Sequence, residues 1–160
     1  MKKAMFILAA LFIGGIMFTG CTKDPEPTPE PEPTPVTTTV LYTVTNIDGN
    51  KVMSPCFKLN VTYLDANGQE VTENGATVPW SKVVEVTIPF HAKMVGELVY
   101  NEEELPETVV FGKRYAVIPY MDNPISQVYS GGLSTGSKES FLGVMAQHPD
   151  RLKFTAEQDF

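Results

Sequence analysis

The chain is poor in the residues from which most catalytic and metal centres are built. Cysteine and histidine each occur twice and tryptophan once among 160 residues. His91 and His148 lie far apart, with no cysteine or carboxylate at ligand spacing, so a zinc site of the usual kind is not expected. Glu102, Glu103, Glu104 and Glu107 read as a solvated acidic face, not as a regular loop of calcium-binding oxygens. No cofactor is expected. Basic residues are also scarce: 12 Lys and Arg stand against 19 Asp and Glu, a formal charge of −7. Without a Lys/Arg cluster to offset it, that balance repels a phosphate backbone and excludes nucleic acid as a partner. Helical periodicity nowhere persists for three turns. The longest apolar run, Ala4 to Thr19, is about 24 Å long as a helix, short of the roughly 30 Å hydrocarbon core of a bilayer.

That run is what the chain does have. Lys2 and Lys3 precede it, no charge interrupts it, and Gly20 and Cys21 end it. A basic start, an apolar middle and small residues at the end form the pattern of a cleaved export signal. Phe18, Thr19, Gly20 and Cys21 resemble the lipobox of bacterial lipoproteins, with Phe18 where leucine is usual. The resemblance implies that residues 1–20 are removed and that Cys21 becomes an acylated N-terminus, anchoring the protein to a membrane. Loss of Lys2 and Lys3 takes the formal charge to −9. Cys56 is then without a disulfide partner, and its neighbours Phe57, Leu59 and Val61 mark it as a buried, inert thiol.

Residues 21–37 form a linker. Pro25, Pro27, Pro29, Pro31, Pro33 and Pro35 alternate with Glu and Thr. Alternating proline removes backbone donors and fixes φ, and like charges repel, so an extended spacer of roughly 50 Å is expected. Thr22, Lys23, Asp24, Pro25 and Glu26 resemble the Lys-acidic export signal of Bacteroidota-type surface lipoproteins, with Pro25 interrupting the usual acidic pair. This implies an outer-membrane lipoprotein displayed at the cell surface; a periplasm-facing anchor is the alternative.

Residues 38–160 read as one all-β domain, an antiparallel immunoglobulin-like β-sandwich of about seven to nine strands, with a closed barrel as the alternative. Two-residue periodicity puts Val40, Tyr42 and Val44 on one face of a first strand, and Phe57, Leu59, Val61 and Tyr63 on one face of a second. Asp65-Ala66-Asn67-Gly68 predicts a hairpin turn leading to a short return strand at Glu70 and Val71, and Asn74-Gly75 predicts another turn. Further strands are expected at Val83–Phe90, Met94–Tyr100, Thr108–Phe111, Tyr115–Tyr120, Phe141–Gln147 and Leu152–Glu157, with Trp80 as a core anchor. The segment from Leu59 to Gly68, continuing through Val78-Pro79-Trp80-Ser81-Lys82 to Val86, resembles small immunoglobulin-like exported lipoproteins and the small accessory proteins of mycobacterial lipid exporters. It implies a fold and no activity.

Candidate chemistry gathers in one polar stretch, Tyr129 to Ser140, read as the longest loop of the domain. Gly132-Leu133-Ser134-Thr135-Gly136 matches the G-x-S-x-G pattern of serine hydrolases, which functions only on a sharp strand-to-helix turn beside an oxyanion hole. Glu139 is the only acid between Ser134 and His148, and Ser140 to Met145 reads as a strand, so catalysis by Ser134 is the minor alternative. Gly131 to Gly136 approaches a phosphate-binding loop, but Ser137 stands where lysine is required and no helix is expected behind it. The expected function is a binding or assembly module of the cell envelope without catalytic activity. Its ligand is a glycan, a peptide or an envelope protein, met by a loop containing Tyr120, Tyr129, Gly131, Gly132 and Ser134. The other alternative is a subunit of a surface or fimbria-like complex that donates the strand Arg151–Phe160.

Overall fold

The computed structural model describes residues 34–120 and 130–160. The signal segment, Cys21, most of the linker and Tyr129 lie outside the described residues. The described chain is an all-β sandwich of two four-stranded antiparallel sheets plus a small hairpin. Its strands are β1 (Thr37–Val44), β2 (Ile47–Asp48), β3 (Lys51–Val52), β4 (Lys58–Leu64), β5 (Glu70–Thr77), β6 (Trp80–Thr87), β7 (His91–Val99), β8 (Thr108–Tyr120), β9 (Ser130–Ser137) and β10 (Lys153–Asp159), with one α-helix, α1 (Lys138–Gln147), and short 3-10 turns at Glu102–Glu104 and Pro149–Leu152. One sheet runs β6-β1-β8-β9 and the other β10-β7-β4-β5, while β2 and β3 pair only with each other.

Alternating side chains build the core as their period requires. Val40, Tyr42 and Val44 from β1 meet Leu59, Val61 and Tyr63 from β4, all nearly inaccessible to solvent. Tyr42 and Tyr63 pack ring against ring at 5.5 Å, and the Tyr42 hydroxyl donates to the Leu64 carbonyl at 3.0 Å. Trp80 is buried as expected, and its indole N–H donates to Glu73 Oε2 at 2.9 Å. Because β5 and β6 are outer strands of opposite sheets, that bond ties the sandwich together along one side. Cys56 is buried and unpaired, and desolvation pushes its thiol pKa up, as an inert core cysteine requires.

Four expectations need correction. Asn74-Gly75 is not a turn: β5 continues through it, and the register against β4 shifts between Leu59 and Val61. Gly75 takes φ +68° and its N–H is accepted by Asn60 Oδ1 at 2.9 Å, so the positive φ serves a bulge. The expected strands at Thr108–Phe111 and Tyr115–Tyr120 are one thirteen-residue strand, β8, whose ladder with β9 runs unbroken through Gly112 at φ +139°. The expected polar loop contains β9. The expected strand at Phe141–Gln147 belongs to α1, started by Ser137, whose hydroxyl accepts the Ser140 N–H at 3.2 Å. Phe141 and Met145, four apart, form its buried face.

Helix α1 closes one end of the sandwich. Phe141 is fully buried, with its ring edge-on to Phe57, Tyr100 and Phe111 at centroid distances of 5.7, 4.9 and 4.8 Å. These residues lie where β4 starts, β7 ends and β8 begins, opposite the end at which the chain enters through Thr37. The last strand, β10, pairs with β7 from Lys153↔Glu97 to Asp159↔His91, so this segment is held within its own chain. Phe154 of β10 covers Gly96 of β7 and stacks on Tyr115 of β8 at 4.4 Å.

Candidate functional site

Of the residues expected to meet a ligand, Gly131, Gly132 and Ser134 are brought together on β9, opposite Arg114, Lys113 and Phe111 of β8. Tyr120 ends β8 with 66% of its surface exposed, and its carbonyl accepts the Thr38 hydroxyl. Ser134 lies inside an extended strand, three residues short of the helix cap, so its hydroxyl is not raised on the sharp elbow that the G-x-S-x-G chemistry needs. A helix does follow the glycines, contrary to expectation. Yet Gly131 to Gly136 are paired with β8 along their length, so they form a ladder and not a cradle for phosphate.

The glycines have a steric role. A Cβ on Gly131, at φ +84°, would fall 2.0 Å from the Lys113 carbonyl oxygen, and one on Gly112 would fall 2.2 Å from that of Gly132. The two backbones approach too closely here for any side chain.

Over this contact folds the β2–β3 hairpin, turned by Gly49 at φ +61°. The Asp48 carboxylate accepts the Leu133 N–H at 3.0 Å and is paired with the Arg114 guanidinium, while Lys51 Nζ donates to the Leu133 carbonyl at 3.0 Å. Both backbone groups of Leu133 are therefore taken by side chains and not by a neighbouring strand. A Cβ on Gly132 would stand 3.1 Å from Asp48 Oδ2, tighter than ordinary packing. A sequence signal for this hairpin is the pair Gly49-Asn50 between Ile47-Asp48 and Lys51-Val52.

The Asp48 carboxyl is held below its ordinary pKa, first by the Leu133 N–H and then by the charges of Arg114 and Lys51. A depressed carboxylate stabilises the fold above its unfolded-state pKa and loses that contribution as pH falls through the lower folded value. Hydrogen exchange at the Leu133 amide is accordingly expected to stay slow at neutral pH, after correction for intrinsic rates, and to gain relative to other β9 amides only below the ordinary carboxylate range. Opening that begins near pH 6 would contradict the assignment.

Beside the hairpin, at the end opposite Thr37, lies a cleft of ≈ 480 Å³ lined by Asn46, Val52, Met53, Ser54, Phe57 and Val78, with Lys58 and Thr77 also on its wall. Its size falls in the range of small-ligand sites, and its wall combines apolar and hydrogen-bonding groups. Ser54 is fixed by a reciprocal pair of 2.9 Å bonds with the backbone of Val110, donating its own N–H and accepting at Oγ. Ile47 and Val52, paired across the hairpin, are about half exposed next to this opening. Sequence reasoning missed the cleft because its wall comes from three separate connections. Among the described residues, no three His, Cys, Asp or Glu side chains converge as metal ligands, and no helix is long and apolar enough to cross a membrane. No protein-family model matches the chain, and no curated protein matches it.

Proposed function

We propose that the protein is a lipid-anchored binding or assembly module of the cell envelope, of the Bacteroidota lipoprotein type and without catalytic activity. The observation that carries the reading is the order of the chain: a lipobox-like Phe18-Thr19-Gly20-Cys21, a proline-alternating spacer, and a sandwich whose first strand begins at Thr37. An acyl chain on Cys21 holds the protein to the outer membrane, and the spacer carries the domain clear of the lipid headgroups toward the cell surface. The cleft and the half-exposed Ile47 and Val52, at the end of the domain opposite Thr37, are the surface on which it would meet a glycan, a peptide or an envelope protein.

Two measurements test this. On cell fractionation, wild-type protein is expected in the membrane fraction, and residues 22–160 exported behind a signal that is cleaved without lipidation are expected in the soluble one; equal membrane association of both would reject the anchor. Purified protein is expected to leave short-chain esters intact. Turnover that disappears on Ser134→Ala would replace the binding module with a serine hydrolase.

A further inference from the structure

Among the described residues, the two main sheets have four outer strands, β5, β6, β9 and β10. An outer strand offers unpaired N–H and C=O groups to any other chain, and charged side chains are a common block. Three of the four carry them: Glu70 and Glu73 on β5, Lys82 and Glu85 on β6, Lys153, Glu157 and Asp159 on β10. Strand β9, Ser130 to Ser137, has none; its side chains are hydrogen, hydroxyl, or the buried Leu133. It is also the strand on which the β2–β3 hairpin sits.

The hydrogen bonds show how the hairpin covers that edge. In an antiparallel ladder, the backbone groups of successive residues point alternately to the two sides. The N–H and C=O of Leu133 go to Asp48 and Lys51, so they face away from β8. By the same alternation, those of Gly131 and Thr135 face outward too. Asp48 and Lys51 thus occupy the middle of a three-residue row that another strand would have to use. Their own strands, of two residues each, belong to neither large sheet, so the hairpin can lift without breaking either ladder.

We propose that the β2–β3 hairpin is a removable guard on an acceptor edge, and that the occupant of the uncovered edge is β9 of a second copy of this chain, running antiparallel. Charge favours a second copy at this edge above the others. The protein is acidic overall and repels itself, but two β9 strands side by side bring no charged side chain together. The small side chains of Gly131, Gly132, Ser134 and Gly136 leave room for close approach, and main-chain bonds supply the affinity. The inference goes beyond the proposed function and concerns the folded domain alone, whether or not Cys21 carries lipid.

The test is sedimentation velocity on residues 22–160, which carry neither the apolar run nor an acyl group to drive association. The parent is expected to be monomeric. Adding Asp48→Ala and Lys51→Ala is expected to produce a species of twice the mass that keeps the parent's far-UV and near-UV circular dichroism. Adding Thr135→Pro, which deletes an outward N–H without touching the β8 ladder, is expected to restore the monomer. A folded double variant that stays monomeric, or a dimer unaffected by Thr135→Pro, would overturn the proposal. If the double variant does not fold, Lys51→Ala alone, which leaves the Asp48 pairing intact, is read instead. It is expected to dimerise at least tenfold more tightly than the parent, and an unchanged self-association constant overturns the proposal equally.

Discussion

Replacing Phe141 with alanine is expected to lower the unfolding free energy by about 3–5 kcal/mol in urea titration, the range for removing a buried phenylalanine. The ring is fully buried and touches three other aromatic rings at 4.8 to 5.7 Å. Each edge-on pair adds roughly 0.5–1.5 kcal/mol beyond the area it buries, so the site sits at the upper part of the range. The cost is large for a domain of this size, whose total stability is on the order of 5–15 kcal/mol. A loss below about 1 kcal/mol would mean that α1 is not docked on the sandwich.

Gly131→Ala is the second large effect, and Gly143→Ala is its control. At Gly131 the new methyl must sit 2.0 Å from the Lys113 carbonyl oxygen on a backbone at φ +84°. The left-handed conformation costs a residue with a Cβ about 1–2 kcal/mol. Because the obstacle is backbone and not a side chain that can swing away, relieving it displaces β8, at about 1–3 kcal/mol more. The same substitution at Gly143, on the exposed side of α1 with nothing within 4 Å of the new atom, is expected to stabilise by up to about 1 kcal/mol through helix propensity. Urea midpoints that move in opposite directions for the two variants support the close β8–β9 approach, and a neutral Gly131→Ala contradicts it.

Much of the sandwich was legible in residues 37–100. There, strict alternation such as Val40, Tyr42, Val44 and Leu59, Val61, Tyr63 reports a face that must be buried, and each of these residues is in the core. Alternation failed where it had two meanings. Phe141, Leu142, Val144 and Met145 suit a short buried strand as well as one turn of helix, and the cap that decides the matter is a single serine hydroxyl. Glycine misled in both directions. Asn74-Gly75 looks like a turn because turns need positive φ, yet a bulge needs it too. Ser130 to Ser137 has the composition of a flexible loop and is a strand, since its pairing depends on Gly112 and its edge is completed by Asp48 and Lys51, more than eighty residues away. No local pattern carries information over that distance.

The candidate site shows the same division. Gly131, Gly132 and Ser134 were singled out from their motif and do lie together, but on a ladder whose geometry belongs to strand packing. The cleft lined by Asn46, Met53, Ser54, Phe57 and Val78 exists only once three connections converge, and no single stretch announces it. Conversely, the proposed attachment chemistry rests on four consecutive residues and a spacer, so proposing it needs no fold.

Cys21 is where the account stands or falls. Cells grown with labelled palmitate and expressing the wild-type chain are expected to yield a labelled band for this protein, and cells expressing Cys21→Ser an unlabelled precursor that retains residues 1–20. Equal label in the two, or a Cys21→Ser chain cleaved at the same place as wild type, would contradict the lipid anchor on which the proposed function depends.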